Sequence, residues 1–271
     1  MKTINNPAKH RKPRLQKLQF EIHLTDHCNL NCQMCDHFSP LAKEYCLDLQ
    51  DFKKQMERLS VLFHKEAEFI RLLGGEPLLH PNIVSFFPVT RAYFPNTRIK
   101  VYTNGILLAA QTEEFWKACA EYKITIAITK YPVKFDYDQL QMMLEEKGIS
   151  FFYVNPEPVK SSWHFPLDIN GTQNEIISYK LCQMAGKCIF LKDGILYPCT
   201  VPGNIIHFNR HFGTDIPLSK QDGINIFEAD SADEILDFLC TPIPFCKYCD
   251  TRNRKKGLEW NRTKKDIKEW T

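Results

Sequence analysis

Leu18-Gln19-Phe20-Glu21-Ile22-His23-Leu24-Thr25-Asp26-His27-Cys28-Asn29-Leu30-Asn31-Cys32-Gln33-Met34-Cys35 is the stretch from which the fold follows. Apolar Leu18, Phe20, Ile22 and Leu24 alternate with polar neighbours, which predicts a β-strand with one buried face. The cysteine run C-x3-C-x2-C begins four residues later. Parallel α/β folds place their chemistry on loops at strand C-termini. Three thiolates this close can hold three corners of one [4Fe–4S] cluster, leaving the fourth iron without a protein ligand. Zinc is the competing occupant; it prefers four ligands, and His37 could supply the fourth.

Working outward, strand and helix signals alternate as far as residue 155. Further strands are expected at residues 67–73, 98–102, 124–128 and 150–154. Helices are expected at 49–63, with Phe52, Met56, Leu59 and Phe63 on one stripe, and at 83–94, 112–122 and 137–147. Thr112 is a plausible N-cap. Such alternation implies βαβ units and a parallel sheet. Five units do not complete an eight-stranded barrel; they fit an open or partial one. After residue 155, Pro156, Pro158 and Pro166 break a polar, aromatic stretch read as a linker or lid. Residues 188–199 read as a hairpin around Lys192-Asp193-Gly194, and 232–239 as a short helix.

Two turns close the second and third strands. In Gly74-Gly75-Glu76-Pro77 the glycines allow close backbone approach to a ligand, Glu76 can accept from an ammonium group, and Pro77 stiffens the exit. Thr103-Asn104-Gly105 taken alone is a hydrogen-bonding turn. In combination, the cysteine triplet after strand one, the GGEP turn after strand two and the Thr-Asn-Gly turn after strand three resemble the radical S-adenosylmethionine (SAM) enzymes over roughly residues 18–155. The resemblance implies a partial (β/α)6 TIM-like barrel with a small C-terminal cysteine-rich extension. It implies a [4Fe–4S] cluster on Cys28, Cys32 and Cys35 whose open iron chelates SAM, and reductive cleavage to a 5′-deoxyadenosyl radical. Gly74, Gly75 and Glu76 would bind the methionyl amino group, and Thr103 and Asn104 would lie beside the ribose and carboxylate. The position before the third cysteine, a SAM contact that is usually aromatic in the family, is Met34 here.

Cys182, Cys188, Cys199, Cys246 and Cys249 form a second constellation. A lone C-x2-C pair is common in zinc knuckles. Cys182, Gly194-x4-Cys199 and the later Cys246-x2-Cys249 resemble a shortened SPASM motif, called Twitch, and imply one auxiliary [4Fe–4S] cluster. Cys182, Cys199, Cys246 and Cys249 match best; Cys188 is a fifth candidate, and the spacing does not choose between it and Cys182. Core, linker and auxiliary domain are expected at 15–155, 156–181 and 182–271. Of the other cysteines, Cys119 is read as a buried small hydrophobe, Cys46 as packing and Cys240 as structural.

By resemblance, the chain is expected to be an oxidoreductase acting on a sugar-like or alcohol substrate, with an electron leaving through the auxiliary cluster. A flavodoxin- or ferredoxin-type reductant is the expected partner. Peptide modification is the main enzymatic alternative, and a zinc-binding interaction module the alternative from another class. A glycyl-radical activase would carry ferredoxin-like C-x2-C-x2-C runs, which this sequence lacks. No catalytic base is assigned: Lys130, Tyr131, Arg71 and His37 are candidates, each more often a salt-bridge or hydrogen-bonding residue.

The bulk numbers agree with one globular enzyme. The chain has 271 residues, 44% hydrophobic and 25% charged, an ordinary balance. A formal charge of +3 is too small to argue for nucleic acid. Basic residues gather in Lys9-His10-Arg11-Lys12-Pro13-Arg14 and from residue 252 to 265; both runs read as solvated ends, and the second, with Arg252 and Trp260, as a solvated helix, the alternative being a tail that covers the site or binds a carrier. No apolar run reaches the roughly 18–20 residues of a membrane span, and no secretory signal is recognised. The eleven cysteines therefore suit a reducing cytoplasm, where clusters of them mean metal or redox chemistry.

Overall fold

A computed structural model describes residues 10–155 and 161–271. Lys9 of the basic run, and Pro156 and Pro158 of the expected linker, lie outside these residues. The first half alternates as expected: β1 (Gln19–Thr25), α1 (Leu49–Leu62), β2 (Phe69–Gly74), α2 (Phe86–Tyr93), β3 (Arg98–Thr103), α3 (Glu113–Glu121), β4 (Ile124–Ile128), α4 (Tyr137–Glu146) and β5 (Phe151–Tyr153). Then come β6 (Ser161–His164), α5 (Glu175–Leu181), β7 (Phe190–Lys192), β8 (Ile195–Tyr197), α6 (Thr200–Phe212), β9 (Ile224–Asn225), α7 (Ala232–Leu239) and β10 (Lys255–Glu259).

One sheet carries eight strands in the order β5-β4-β3-β2-β1-β7-β8-β9. From β5 through β7 every neighbouring pair is parallel. The β7–β8 hairpin then reverses direction. Its turn places Asp193 (φ 51°) and Gly194 (φ 77°) in the left-handed region, as tight hairpins require. This is the partial barrel expected from the alternation, with β7 supplying a sixth parallel strand.

Local chemistry explains the elements. Asp48 caps α1 by accepting from the N–H groups of Gln50 and Asp51, at 2.8 and 3.1 Å. Thr112 caps α3 through the Phe115 N–H at 3.3 Å. Phe20, Ile22, Ile70, Leu72, Ile99, Val101, Ile124 and Ile126 are all but fully buried in one core with Phe52, Met56 and Leu59 of α1. The other sheet face differs. Register places Glu21, Arg71, Lys100 and Thr125 in one cross-strand row. Arg71 donates to buried Glu21 at 2.9 Å, and Lys100 stands over the rings of Phe69 and Phe152 at 5.1 and 5.2 Å. That face is polar and aromatic where a closed barrel would be packed with apolar layers.

Helix α6 falls in a stretch for which the sequence reading set no expectation, and it carries Pro202-Gly203-Asn204 near its start. Pro202 sits in the first helical turn, where no backbone N–H is needed. Gly203 is required by packing: a Cβ there would lie 2.6 Å from the Phe190 ring. Ile205 and Phe208 of α6 build a second core that takes in Phe38 and Leu41 from beyond the cysteine triplet and Trp270 from the far end of the chain. Strands β6 and β10 pair antiparallel as a separate ribbon. The basic stretch expected as a solvated helix is therefore largely extended chain engaged in pairing. No helix among the described residues is long and apolar enough to cross a membrane.

Candidate active site

The cysteine loop leaves β1 and lines a cavity of about 430 Å³ at the C-terminal ends of β1 to β4. Cys28, Cys32, Met34, Cys35, Gly74, Gly75, Glu76, Thr103 and Asn104 all contribute to its wall. Three strand-end motifs, far apart in sequence, thus meet at one place. Asn31, Met34 and Phe38 hold φ values of 54°, 57° and 54°, a conformation that costs non-glycine residues free energy and persists only when surroundings enforce it.

The enforcement comes from the C-terminal segment. The Gln33 N–H donates to the Asn261 carbonyl at 2.8 Å, and the Thr263 N–H donates to the Asn31 carbonyl at 2.9 Å. The Trp270 indole donates to the Cys35 carbonyl at 2.9 Å. Trp260 lines the cavity, and Tyr131, packed edge-on to it at 5.7 Å, interacts with the Cys32 thiol. The sequence signalled this only as aromatics within a basic tail.

The two glycines serve the loop as well as any ligand. A Cβ on Gly75 would lie 2.1 Å from the His27 carbonyl oxygen, and one on Gly74 equally close to that of Thr25. Strand β2 can therefore abut the start of the cysteine loop only without side chains there. Glu76 is buried and accepts from the Thr103 hydroxyl at 2.7 Å, the Asn104 N–H at 2.9 Å and the Leu78 N–H at 3.2 Å. Burial raises its pKa to about 7 against the pull of these donors. Asn104 in turn donates to the Asn29 side chain at 2.7 Å. The GGEP and Thr-Asn-Gly turns are thus one hydrogen-bonded unit.

Burial pushes the Cys28 thiol well above its ordinary range and the Cys35 thiol to about 12, while backbone N–H groups of Leu30, His37 and Ser39 pull them back. Such N–H donors to sulfur favour the thiolate form that binds metal. Among the described residues no three His, Cys, Asp or Glu side chains gather where one metal ion could sit. A cubane makes a different demand, since each thiolate takes a separate iron. Three thiols on one loop, with donors to sulfur, fit that demand at the triplet.

The second constellation, Cys188 apart, lies outside the cavity wall. Cys182 follows α5, Cys199 caps α6, and Cys246 and Cys249 sit on and after a 3-10 turn. Cys199 interacts electrostatically with Cys182, Cys249 and Cys246, and Cys182 accepts from the Met184 and Ala185 N–H groups at 3.4 Å each. None of these four lines the cavity. Their donor set fits a fully ligated cluster. Cys188 does line the cavity; its largest electrostatic partners are Glu21, Asp36 and Arg71, with Cys182 weaker.

Of the four base candidates, His37 and Tyr131 reach the cavity wall, whereas Arg71 is engaged by Glu21 and Lys130 lies over the Tyr153 ring at 3.9 Å. One buried network had no sequence assignment. Asp26 meets His23 at 3.1 Å, Lys192 at 3.1 Å and His207 at 3.2 Å, joining β1, β7 and α6. Burial alone would raise the Asp26 pKa, but the close His207 imidazole, the hydrogen bond with His23 and the charge of Lys192 hold it well below the usual carboxylate range. Burial lowers the His23 pKa to about 3. The pair His23-x2-Asp26, just before the triplet, was its visible signal.

A partial parallel barrel with an open three-thiol loop at its strand ends, backed by a glycine-rich turn, defines an enzyme class built to hold a cluster and a small cosubstrate together. Residues 22–131 match the Radical SAM superfamily. The chain is 31% identical over 250 residues to the GTP 3',8-cyclase of Peptoclostridium acidaminophilum, covering 86% of this chain and 75% of that protein. It is 33% identical over 162 residues to the GTP 3',8-cyclase of Trichodesmium erythraeum (strain IMS101), spanning 45% of that relative. In fold it matches the crystal structure of BtrN in complex with AdoMet and 2-DOIA, with a TM-score of 0.55, 21% identity, and coverage of 87% of this chain and 94% of that one. The chain belongs to the radical SAM superfamily. It is a radical SAM enzyme, and membership implies a [4Fe–4S] cluster and SAM, with a small molecule or peptide as substrate.

Proposed function

We propose that this enzyme oxidises an alcohol carbon of an uncharged or aminated, sugar-like ring. Cys28, Cys32 and Cys35 would hold the SAM-binding cluster, and Cys182, Cys199, Cys246 and Cys249 an auxiliary one. Residues 15–155 would then supply most of the catalytic core, 156–181 a connection, and 182–271 an auxiliary, Twitch-like unit that also lends β7 to the core sheet. The observation that carries this reading is the cavity wall. It presents Tyr102, Tyr131, Trp163, Phe165 and Trp260, with Thr129, Ser162 and Gln183 among them. Among the described residues it includes no Lys or Arg, while Asp36 and Glu76 are acidic.

The cyclase relatives, by their name, act on GTP. Phosphates are held by Arg forks, Lys or helix N-termini, and this wall supplies neither side chain among the described residues. A ring with an apolar face and hydroxyl edges suits it better. Trp163 and Phe165 stack at 5.9 Å with planes 29° apart, offering a flat apolar surface. The Trp260 indole N–H is buried without a partner among the described residues, a donor left for a hydroxyl. The fold match to a complex holding AdoMet and 2-DOIA accords with a small substrate beside SAM.

When bound, the two clusters and SAM would supply a 5′-deoxyadenosyl radical and an acceptor for the electron that the alcohol gives up. A flavodoxin- or ferredoxin-type protein would deliver the initiating electron. The chain's own residues orient the participants: the tail clamps the triplet loop, Glu76 fixes the Thr103–Asn104 turn, and the aromatic wall excludes water. The test is anaerobic reconstitution with SAM and dithionite against carbinol-deuterated cyclitols and amino sugars, and against GTP. Deuterium entering 5′-deoxyadenosine with formation of a ketone is expected. Turnover of GTP with none of the cyclitols or amino sugars would sink the reading.

A further inference from the structure

Lys12 precedes the first strand, in a run whose charge alone suggests a solvated end. The structure places it against the second cysteine set. Its backbone N–H donates to the Cys240 carbonyl at 2.9 Å. Its ammonium donates to the carbonyls of Cys182 at 2.6 Å and Ala185 at 3.1 Å, and stands 4.7 Å from the centre of the Tyr179 ring. Neighbouring arginines moor the arm: Arg14 pairs with Asp233 and, at 3.0 Å, with Asp237, and Arg11 pairs with Asp237 at 3.4 Å.

Among the described residues no carboxylate forms an ion pair with Lys12. The ammonium is half-buried against the backbone of Cys182 and Ala185, and the Cys182 sulfur in turn accepts from the Ala185 N–H at 3.4 Å. The two carbonyls and the ring satisfy the ammonium as a donor but leave its charge without an anion in a half-buried place, which costs free energy. The anions on offer are the sulfurs of the second set.

We propose that Lys12 is the counter-ion of the Cys182–Cys199–Cys246–Cys249 site, a positioning residue that sets the charge felt by the group bound there. The proposal rests on the auxiliary-cluster reading above. A fixed cation beside a cluster stabilises its more negative, reduced form and so raises its reduction potential. Lys12 is a cation and not a cluster ligand, so its effect acts through charge and through the backbone of Cys182.

The test uses the full chain with Cys28, Cys32 and Cys35 all changed to Ala, so that only the second site can titrate. Lys12→Met and Lys12→Arg are added to that background, and each protein is reconstituted anaerobically. Iron and sulfide are counted, and the midpoint potential is followed by EPR. With Lys12→Met the midpoint should move to more negative potential at unchanged iron content, and Lys12→Arg should restore it. Iron retained with Arg but lost with Met would support the same charge role. An unchanged midpoint in iron-replete Lys12→Met overturns the Lys12 proposal alone. A triple-alanine protein that binds no iron overturns the auxiliary-site reading, and this proposal with it.

Discussion

The two cysteine sites differ in what faces them. The triplet Cys28, Cys32 and Cys35 opens onto a cavity of about 430 Å³, whereas Cys182, Cys199, Cys246 and Cys249 line no part of it and are backed by Lys12 and by N–H donors to Cys182. A site that must admit a cosubstrate keeps one side empty; a site that only passes charge can be closed. On the proposed reading the same residue type would serve two purposes, and the distinction would lie in what surrounds each set.

Removing a ligand from each site separates them most sharply. Cys32→Ala is expected to abolish 5′-deoxyadenosine formation altogether, read by chromatography after incubation with SAM and dithionite; persistent formation would mean the triplet is not the SAM site. Cys246→Ala should leave SAM cleavage running while product formation stops. If product still accumulates, the second site has no part in the reaction.

A smaller effect concerns Glu76, which only the open site possesses. Its pKa rises from 4.5 to about 7 on folding. A carboxyl raised in this way contributes stability that is complete below pH 4.5 and lost as pH rises through about 7. The contribution is on the order of 3 kcal/mol. Thermal unfolding of the metal-free protein should show stability declining across that window, and Glu76→Gln should flatten the decline. An equally steep decline in the variant would place its origin elsewhere. Smallest is the tail contact. Trp270→Phe removes the indole hydrogen bond to Cys35, worth about 1 kcal/mol, and should weaken SAM binding about fivefold. Unaltered affinity would show that the loop holds its shape without that bond.

Much of the architecture was legible because it is periodic. Phe20-Glu21-Ile22-His23-Leu24 can bury one face only as a strand, and the stripe through Phe52, Met56 and Leu59 only as a helix. The site motifs were legible because each ends a strand, and strand ends converge. What escaped the sequence depends on contacts between distant segments. Gly75 was read for ligand approach, but its tightest neighbour is the His27 carbonyl. The basic ends were read as solvated because charge reports nothing about backbone pairing; yet the peptide groups of Asn261 and Thr263 bond the triplet loop. Helix α6 drew no expectation from the sequence, and only the Phe190 ring packed against Gly203 explains a glycine inside it.

The bond from Trp270 to Cys35 spans 235 positions along the chain. During synthesis the cysteines of the triplet emerge well before the residues that hold their loop in its left-handed turns. A chain truncated before Asn261 would lack these bonds and present the three thiols on a loop without its clamp.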